Sequence, residues 1–472
     1  ITLAISCAAF FGVWFIPPEL LPLGDISVIE QRVAAIFVLA VLMWVMEVVP
    51  PWCTSVLSVT LLLLTVSDNS LWFLSDTAEY REMGRAVSYS ALLATFADPI
   101  IMLFLGGFIL AIAATKTGLD VLLARSLLKP FGIKPENVML GFLLVTGFFS
   151  MFISNTATAA MMLALLTPVL KALPGDGKGR AALALSIPLA ANIGGMGTPI
   201  GTPPNAIALK YLNDPAGLNM DIGFGQWMAC MFPYAILLLF VSWLVLKKLF
   251  PFKQKTVRLK IEGDVQKGAK AWIVYITFAV TILMWMLDKL TGVSASVVAM
   301  IPVTVLCISG VITRRDLAEI NWSVLWMVAG GFALGMAMND TGLAMRIVDS
   351  VDFHTLSPLV VIIASGMLCW ALSNFISNTA TASLLIPILA VVGVGMREQL
   401  SALGGIPTLL IGIAISASLA MSLPVSTPPN ALAHSTGMVE QTDMAKVGLI
   451  VGITGLVAGY AMLILVGIAG LF

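Results

Sequence analysis

The sequence predicts an all-α polytopic membrane protein of about eleven spanning helices and two re-entrant hairpins, arranged as an inverted repeat. Three observations carry that prediction: a shortage of charge, a series of apolar runs of spanning length, and three motifs that recur in the same order in both halves. The 472 residues are 59% hydrophobic and 11% charged, whereas a soluble domain carries about 25% charged residues. So few charges cannot cover a chain of this size in water, so much of the surface must face lipid.

A membrane-crossing helix needs about 20 mostly apolar residues. Such runs lie near 1–16, 33–49, 51–67, 98–115, 182–212, 226–246, 271–288, 295–313, 322–338, 405–433 and 447–471. Two further stretches, 137–171 and 357–394, are too long for one span, and each is interrupted near its middle by Ser-Asn-Thr. They are read as hairpins that enter and leave on one side. The basic residues test this layout. Lys247–Lys270 holds eight Lys/Arg against two acids, and the positive-inside rule puts it in the cytoplasm. Counting outward, with the hairpins not crossing, places 116–136, 171–181, Arg314–Arg315 and Lys446 on the same side. Together these segments hold 18 of the 25 basic residues, and counting either hairpin as a crossing scatters them. The N-terminus is then cytoplasmic and the C-terminus outside. The chain opens in an apolar run at Ile1 without a cleavable leader, and a short polar head is expected before it. Short hydrophilic loops and the lack of large extramembrane domains point to a bacterial inner membrane.

Composition also excludes several functions. A net charge of zero argues against a nucleic-acid partner. Cys7, Cys53, Cys230, Cys307 and Cys369 are scattered singly with no metal-ligand spacing, and read as small buried hydrophobes. Two histidines, His354 and His434, do not make a haem or a histidine metal site.

The internal repeat is explicit. Gly106-Gly107-Phe108 and Thr117-Gly118-Leu119 return as Gly330-Gly331-Phe332 and Thr341-Gly342-Leu343, an offset of 224. Phe-Ile-Ser-Asn-Thr-Ala-Thr-Ala from Phe152 returns from Phe375, an offset of 223, and Thr-Pro-Pro-Asn-Ala from Thr202 returns from Thr427, an offset of 225. Five crossings separate equivalent positions, and an odd number inverts the second copy. Inverted repeats with discontinuous helices meeting at mid-depth are the mark of secondary transporters.

The polar motifs say what such a site could hold. Ser150 and Ser154 are four apart and share a face if helical, with Asn155 and Thr156 where the helix breaks. The second copy offers Ser373, Ser377, Asn378 and Thr379. Broken backbone in hydrocarbon survives only inside protein or beside a wet cavity. Carbonyls, hydroxyls and amide oxygens then form a neutral cage suited to a hard monovalent cation such as sodium. The structural alternative is that these Ser and Thr cap helices or bond between packed ones, and two symmetric copies weigh against it. Met196–Asn205 and Met421–Asn430 each carry prolines in mid-span, which break the helical ladder and suit the first turn of a new helix. The carbonyl ends attract a cation and the N–H ends an anion. No ionisable residue lies in any of the four motifs, which favours sodium over proton coupling. Glu47 and Asp98, at span ends, are read as boundary residues.

At these motifs, over nearly the whole chain, the sequence resembles the divalent anion:sodium symporter family, the INDY-type dicarboxylate transporters. The resemblance implies a scaffold domain and a transport domain in each protomer, a homodimer formed through the scaffold, and an elevator movement. On that pattern, 1–115 and 271–345 would be scaffold, 116–250 and 346–472 transport elements, and 251–270 a basic cytoplasmic linker. The resemblance also implies one sodium site at Ser150, Ser154, Asn155 and the backbone near Gly197. A second would use Ser373, Asn378 and the backbone near Ile376 and Ser422. Substrate carboxylates would meet Asn155, Thr156, Asn378 and Thr379, with Thr198, Pro199 and Pro424 lining the pocket. Thr198 faces Leu423 across the repeat, so the two halves of the pocket are chemically unequal. The expected activity is sodium-driven symport of C4 dicarboxylates (succinate, malate, fumarate), with citrate a further candidate, and no organic cofactor. The rivals are a sodium-independent exchanger on the same fold, an anion channel, and a membrane enzyme. The last would need a nucleophile–base pair or metal ligands at membrane depth, and the sequence offers neither.

Overall fold

A computed structural model describes residues 1–21, 23, 26–71, 74, 84–173, 178–214, 217–257, 265–350 and 356–470. His354 and parts of the basic segments 171–181 and 247–270 lie outside the described residues. Among those residues the chain is helical, the one β feature being an isolated bridge between Ser67 and Val87.

The longer helices run in two matching series. The first is α1 (Thr2–Phe15), α2 (Val28–Val45), α3 (Pro51–Thr65), α4 (Pro99–Thr117) and α5 (Leu119–Leu128). A helical hairpin follows, α6 (Pro135–Ser150) and α7 (Asn155–Ala172), then a broken helix, α8 (Gly179–Gly195) and α9 (Pro203–Leu212), and then α10 (Phe224–Leu249). The second series is α11 (Ala269–Met286), α12 (Met300–Ile308), α13 (Trp322–Thr341) and α14 (Leu343–Asp349). It continues with the hairpin α15 (Pro358–Ser373) and α16 (Asn378–Gly395), the broken helix α17 (Gly405–Ser418) and α18 (Pro428–Ser435), and α19 (Gln441–Ile468).

Among the described residues, seven helical stretches are long and apolar enough to cross a membrane: α2, Tyr89–Thr117 (which bends at Asp98 and ends in α4), α10, α11, α13, α16 and α19. The remaining apolar runs fold as shorter pieces, because proline or a bend interrupts them. The 295–313 run divides at Ala299 into Ala295–Val298 and α12. With 14 residues, α1 rises about 21 Å, less than the ~30 Å hydrocarbon layer.

Two of the repeated motifs are structural. In the Gly-Gly-Phe motifs, a Cβ on Gly106 would stand 2.4 Å from the Ala299 carbonyl oxygen, and one on Gly330 2.4 Å from Ser55 Cβ. Each glycine lets two helices cross at backbone contact. In the Thr-Gly-Leu motifs, Gly118 and Gly342 cap α4 and α13 with φ of 71° and 93°, a left-handed turn that glycine adopts without strain. All five cysteines are free, and His434 Nδ1 lies 3.0 Å from the Val439 carbonyl in a local turn.

The helices pack in two groups. In one, α2, α3 and α13 pack together with α1 on α2, while α4 packs on α11 and α12. In the other, α8 and α17 occupy the centre, and nearly every residue of both is buried. Around α8 stand α6, α7, α10 and, from the other half, α18; around α17 stand α15, α16, α19 and, from the other half, α9. Each half therefore completes the core of its partner. The outward faces are apolar: Trp272, Ile276, Val280 and Leu283 of α11 and Leu449, Ile453 and Val457 of α19 are exposed, as lipid contact requires.

Candidate functional site

Both hairpin tips are built by the same local chemistry. α6 and α15 end at a serine, three residues turn, and Ser154 or Ser377 caps the next helix. Ser154 Oγ accepts from the Ala157 amide at 3.3 Å, and Ser377 Oγ from the Ala380 amide at 3.2 Å. These are N-caps, favoured because they satisfy helix donors that have no backbone partner. Asn155 and Asn378 are then the first helical residues and sit at the tips. Both are half-buried, while Thr156 is exposed and Thr379 buried.

In the first tip, Ser150 Oγ lies 2.7 Å from the Ala191 carbonyl and 2.7 Å from the Asn155 amide. A hydroxyl has one hydrogen, so it donates to Ala191 and accepts from Asn155. The Asn155 nitrogen then also donates to the Gly201 and Ala191 carbonyls at 3.1 and 3.2 Å. In the second tip, Asn374 takes the place of Met151. Its Oδ1 accepts from the Ser422 amide at 3.0 Å, and its Nδ2 donates to the Trp370 carbonyl at 2.9 Å.

The helix breaks face these tips. Asn205 Nδ2 donates to the carbonyls of Gly195 (2.9 Å), Met196 (3.4 Å) and Thr198 (2.8 Å), and Asn430 Nδ2 to those of Met421 (2.8 Å) and Leu423 (2.9 Å). The final Asn of each Thr-Pro-Pro-Asn motif thus folds back to tie its own break. No donor among the described residues reaches the carbonyls of Gly197 and Ser422, at the middle of the two breaks. Among the described residues, Asn378 Oδ1 and Ser422 Oγ are buried with no partner, and the buried Ser373 hydroxyl has only the Cys369 thiol beside it. Buried polar atoms are almost always paired, so these unpaired neutral oxygens have the chemistry of cation ligands. None of these groups titrates, and the described residues hold no cluster of three His, Cys, Asp or Glu.

The remaining residues expected at the site are placed as follows. Thr198 is fully buried, and its hydroxyl donates to the Met151 carbonyl and accepts from the Gly201 amide at 3.0 Å. It joins tip to break and faces no open pocket. Pro199 is buried, Pro424 is half-buried beside exposed Val425, and Ile376 is 5% exposed. The packing of α18 on α7 and of α9 on α16 draws each break towards the other half's hairpin. Sequence reasoning missed Asn192, Asn374 and Ser426. A comparison of the two copies position by position flags all three, since their counterparts are Ala417, Met151 and Gly201.

A cavity of 730 Å³ opens between the two helix groups, lined among others by Arg85, Asp98, Lys210, Asp214, Phe332 and Asp340. Across it Lys210 of α9 pairs with Asp98 at 2.7 Å. Asp98 also caps α4, accepting from the Ile100 amide at 2.9 Å, so it is more than a boundary residue.

Two sequence-related halves, each with a hairpin tip set against a broken helix under a lipid-facing coat, define a membrane transporter. The family model described as a citrate transporter (CitMHS) matches residues 41–403, and the chain belongs to that family. The sodium-dependent dicarboxylate transporter SdcS of Staphylococcus saprophyticus is 30% identical over 89% of this chain and 84% of that protein. SdcS of Staphylococcus aureus strain USA300 is 29% identical over 92% and 87%. Among solved structures, the YdaH transporter of Alcanivorax borkumensis has a TM-score of 0.59, covering 89% of this chain and 98% of that one at 15% identity. MtrF of Neisseria gonorrhoeae, titled as illuminating a class of antimetabolite efflux pumps, has a TM-score of 0.53 over 80% and 83% at 14% identity. These two structures share the fold, and no more is taken from them.

Proposed function

We propose that this protein is a sodium-coupled symporter of C4 dicarboxylates such as succinate, malate and fumarate, with citrate as a further substrate to test. The observation that carries the reading is the pair of helix breaks, each with a mid-break carbonyl that has no donor, facing tips made only of neutral oxygens. That donor set suits sodium, and the sodium-dependent dicarboxylate transport for which the relatives at about 30% identity are named supports both ion and substrate. Ser150, Ser154, Asn155 and the Gly197 carbonyl would hold one ion; Ser373, Asn378 and the backbone at Ile376 and Ser422 the other. Asn155, Thr156, Asn378 and Thr379 would meet the carboxylates, with Thr198 behind the first tip and Pro199 and Pro424 at the breaks.

The physics of charge explains the coupling. A dianion alone is costly in a low-dielectric site, and two sodium ions beside it bring the sum to zero. Sodium bound first fixes the tip oxygens, and substrate then meets an ordered site whose added positive charge favours it. Coupling requires that the loaded and half-loaded states differ in energy.

The group holding α1–α4 and α11–α13 would be the scaffold of a homodimer, and the group around α8 and α17 the body that moves as an elevator. The cavity bridged by Lys210 and Asp98 would open and close as it slides. A bacterial inner membrane with the N-terminus cytoplasmic and the C-terminus outside fits the distribution of basic residues. Uptake of labelled succinate by proteoliposomes, with a sodium gradient, a lithium gradient or neither, tests the function. Uptake only with sodium, competed by fumarate and malate, is the expected result. Equal uptake in all three would replace symport with exchange, and flux far above carrier turnover would make the protein a channel.

A further inference from the structure

The two halves of the site meet at a residue that lies in none of the repeated motifs. Asn192 is the only amide among residues 181–195 of α8, all of them buried. The carbonyl just before it serves the first half: Ala191 O accepts from Ser150 Oγ at 2.7 Å and from the Asn155 amide at 3.2 Å. The Asn192 side chain serves the second half. Its Nδ2 lies 3.2 Å from Thr427 Oγ1 and 3.3 Å from Asn430 Oδ1. Asn430 in turn holds the carbonyls of Met421 and Leu423, the two residues that flank Ser422. One turn of α8 therefore touches the first tip through its backbone and the second break through its side chain.

The connection runs one way. The counterpart of Asn192 is Ala417, and Asn205 Oδ1, the counterpart of the Asn430 oxygen that receives Asn192, is buried with no partner among the described residues. The first break forms without such a donor, so the link is not needed to build a helix break. Asn192 Oδ1 is itself buried and unpartnered among the described residues. A buried amide with half its bonding capacity unused is costly, which sets it apart from the apolar residues around it.

We propose that Asn192 is a positioning residue that couples the two cation sites, an inference that rests on the sodium-coupled reading above. An ion at the first site tightens Ser150 and Asn155 on the Ala191 carbonyl and fixes that turn of α8. The fixed Asn192 holds Asn430, which sets the spacing of the two carbonyls around Ser422. Each ion then raises the affinity for the other, and by linkage the effect is reciprocal.

The test titrates sodium against two readouts: the melting temperature of the purified protein without substrate, and succinate uptake in proteoliposomes. The wild type is expected to respond cooperatively, with a Hill coefficient clearly above one. Asn192→Ala should bring that coefficient to about one and raise half-saturating sodium about fivefold or more. Its succinate KM at saturating sodium should stay within about twofold of wild type, which a loosened fold would not allow. Thr427→Ser keeps the hydroxyl that caps α18 through the Asn430 amide at 3.3 Å and should leave the coupling near wild type. Thr427→Val removes both that cap and the Asn192 link and should shift sodium the same way as Asn192→Ala; the pair carries the test if Asn192→Ala does not fold. Sodium curves of Asn192→Ala or Thr427→Val that superimpose on the wild type in both readouts overturn the inference. A wild type indifferent to sodium overturns the symport reading and the coupling with it, and is told apart because it needs no variant.

Discussion

The first and second halves of the chain fasten the same tip to the same break with a hydroxyl placed at opposite ends. In the first, Thr198 donates to the Met151 carbonyl and accepts from the Gly201 amide. In the second, Ser426 donates to the Asn374 carbonyl at 2.8 Å and accepts from the Leu423 amide at 3.0 Å. Thr198 matches Leu423, and Gly201 matches Ser426, so each half has the hydroxyl where the other lacks it. The fold demands one hydroxyl between two backbone groups and is indifferent to which residue supplies it. The halves differ more deeply in satisfaction. Among the described residues, the first tip bonds internally, and the unpaired buried oxygens of its hairpin and break lie at Thr146, Thr158 and, in the break, Asn205, whereas the second half leaves Asn378 unpaired at the tip itself and Ser422 in the break.

The strongest test of that contrast is the pair Asn378→Ala and Asn155→Ala. Losing an oxygen that meets a charged ligand costs about 2–3 kcal/mol, so uptake at low substrate should fall about a hundredfold in either variant. Without ligand the two should part. Asn155→Ala lowers the melting temperature, because Ser150, Gly201 and Ala191 lose a donor, and Asn378→Ala lowers it less, because its oxygen had no partner. Equal thermal shifts would erase the distinction.

Exchanging the fasteners should work in one direction only. Leu423→Thr with Ser426→Gly gives the second half the first half's bridge and should keep most stability and uptake. Thr198→Leu with Gly201→Ser should not fold well, since a Cβ at 201 would stand 2.3 Å from the Gly195 carbonyl oxygen. The single changes Thr198→Val and Ser426→Ala should each cost about 1–3 kcal/mol, the price of an unpaired buried group, read by thermal melting.

Away from the tips, Gly106→Ala and Gly330→Ala overpack equivalent crossings and should each cost about 1–3 kcal/mol. Gly106→Ala should cost more, because it meets a backbone oxygen, and the reverse order in melting experiments would reject the equivalence. The smallest effect belongs to Lys210→Ala. The Lys210–Asp98 pair is partly exposed, so its loss should cost less than about 1 kcal/mol and change uptake rate more than succinate KM. The second half offers no counterpart: α13 is capped by uncharged Asn321, and Ser435 matches Lys210.

Much of this arrangement is legible in the sequence. Both hairpin turns fall where Ser-Asn-Thr interrupts an apolar run, and both breaks fall at Thr-Pro-Pro-Asn. Proline at the first helical position and serine at the N-cap act within four residues, so they can be read locally. Thr198 was legible as a polar residue in the right place, but its partner was not. Asn192 was passed over as one residue of a long apolar run.

The sequence by itself determined the helical class, the duplication, the positions of the turns and the neutral chemistry of the site, because composition, capping and proline are properties of short stretches of chain. Only the tertiary structure decided that α18 packs on α8 and that α9 packs on α17. It also decided which oxygens are spent on the protein and which are left over. Those outcomes depend on contacts between residues as far apart as Asn192 and Thr427, 235 positions along the chain, and no local pattern encodes such a distance.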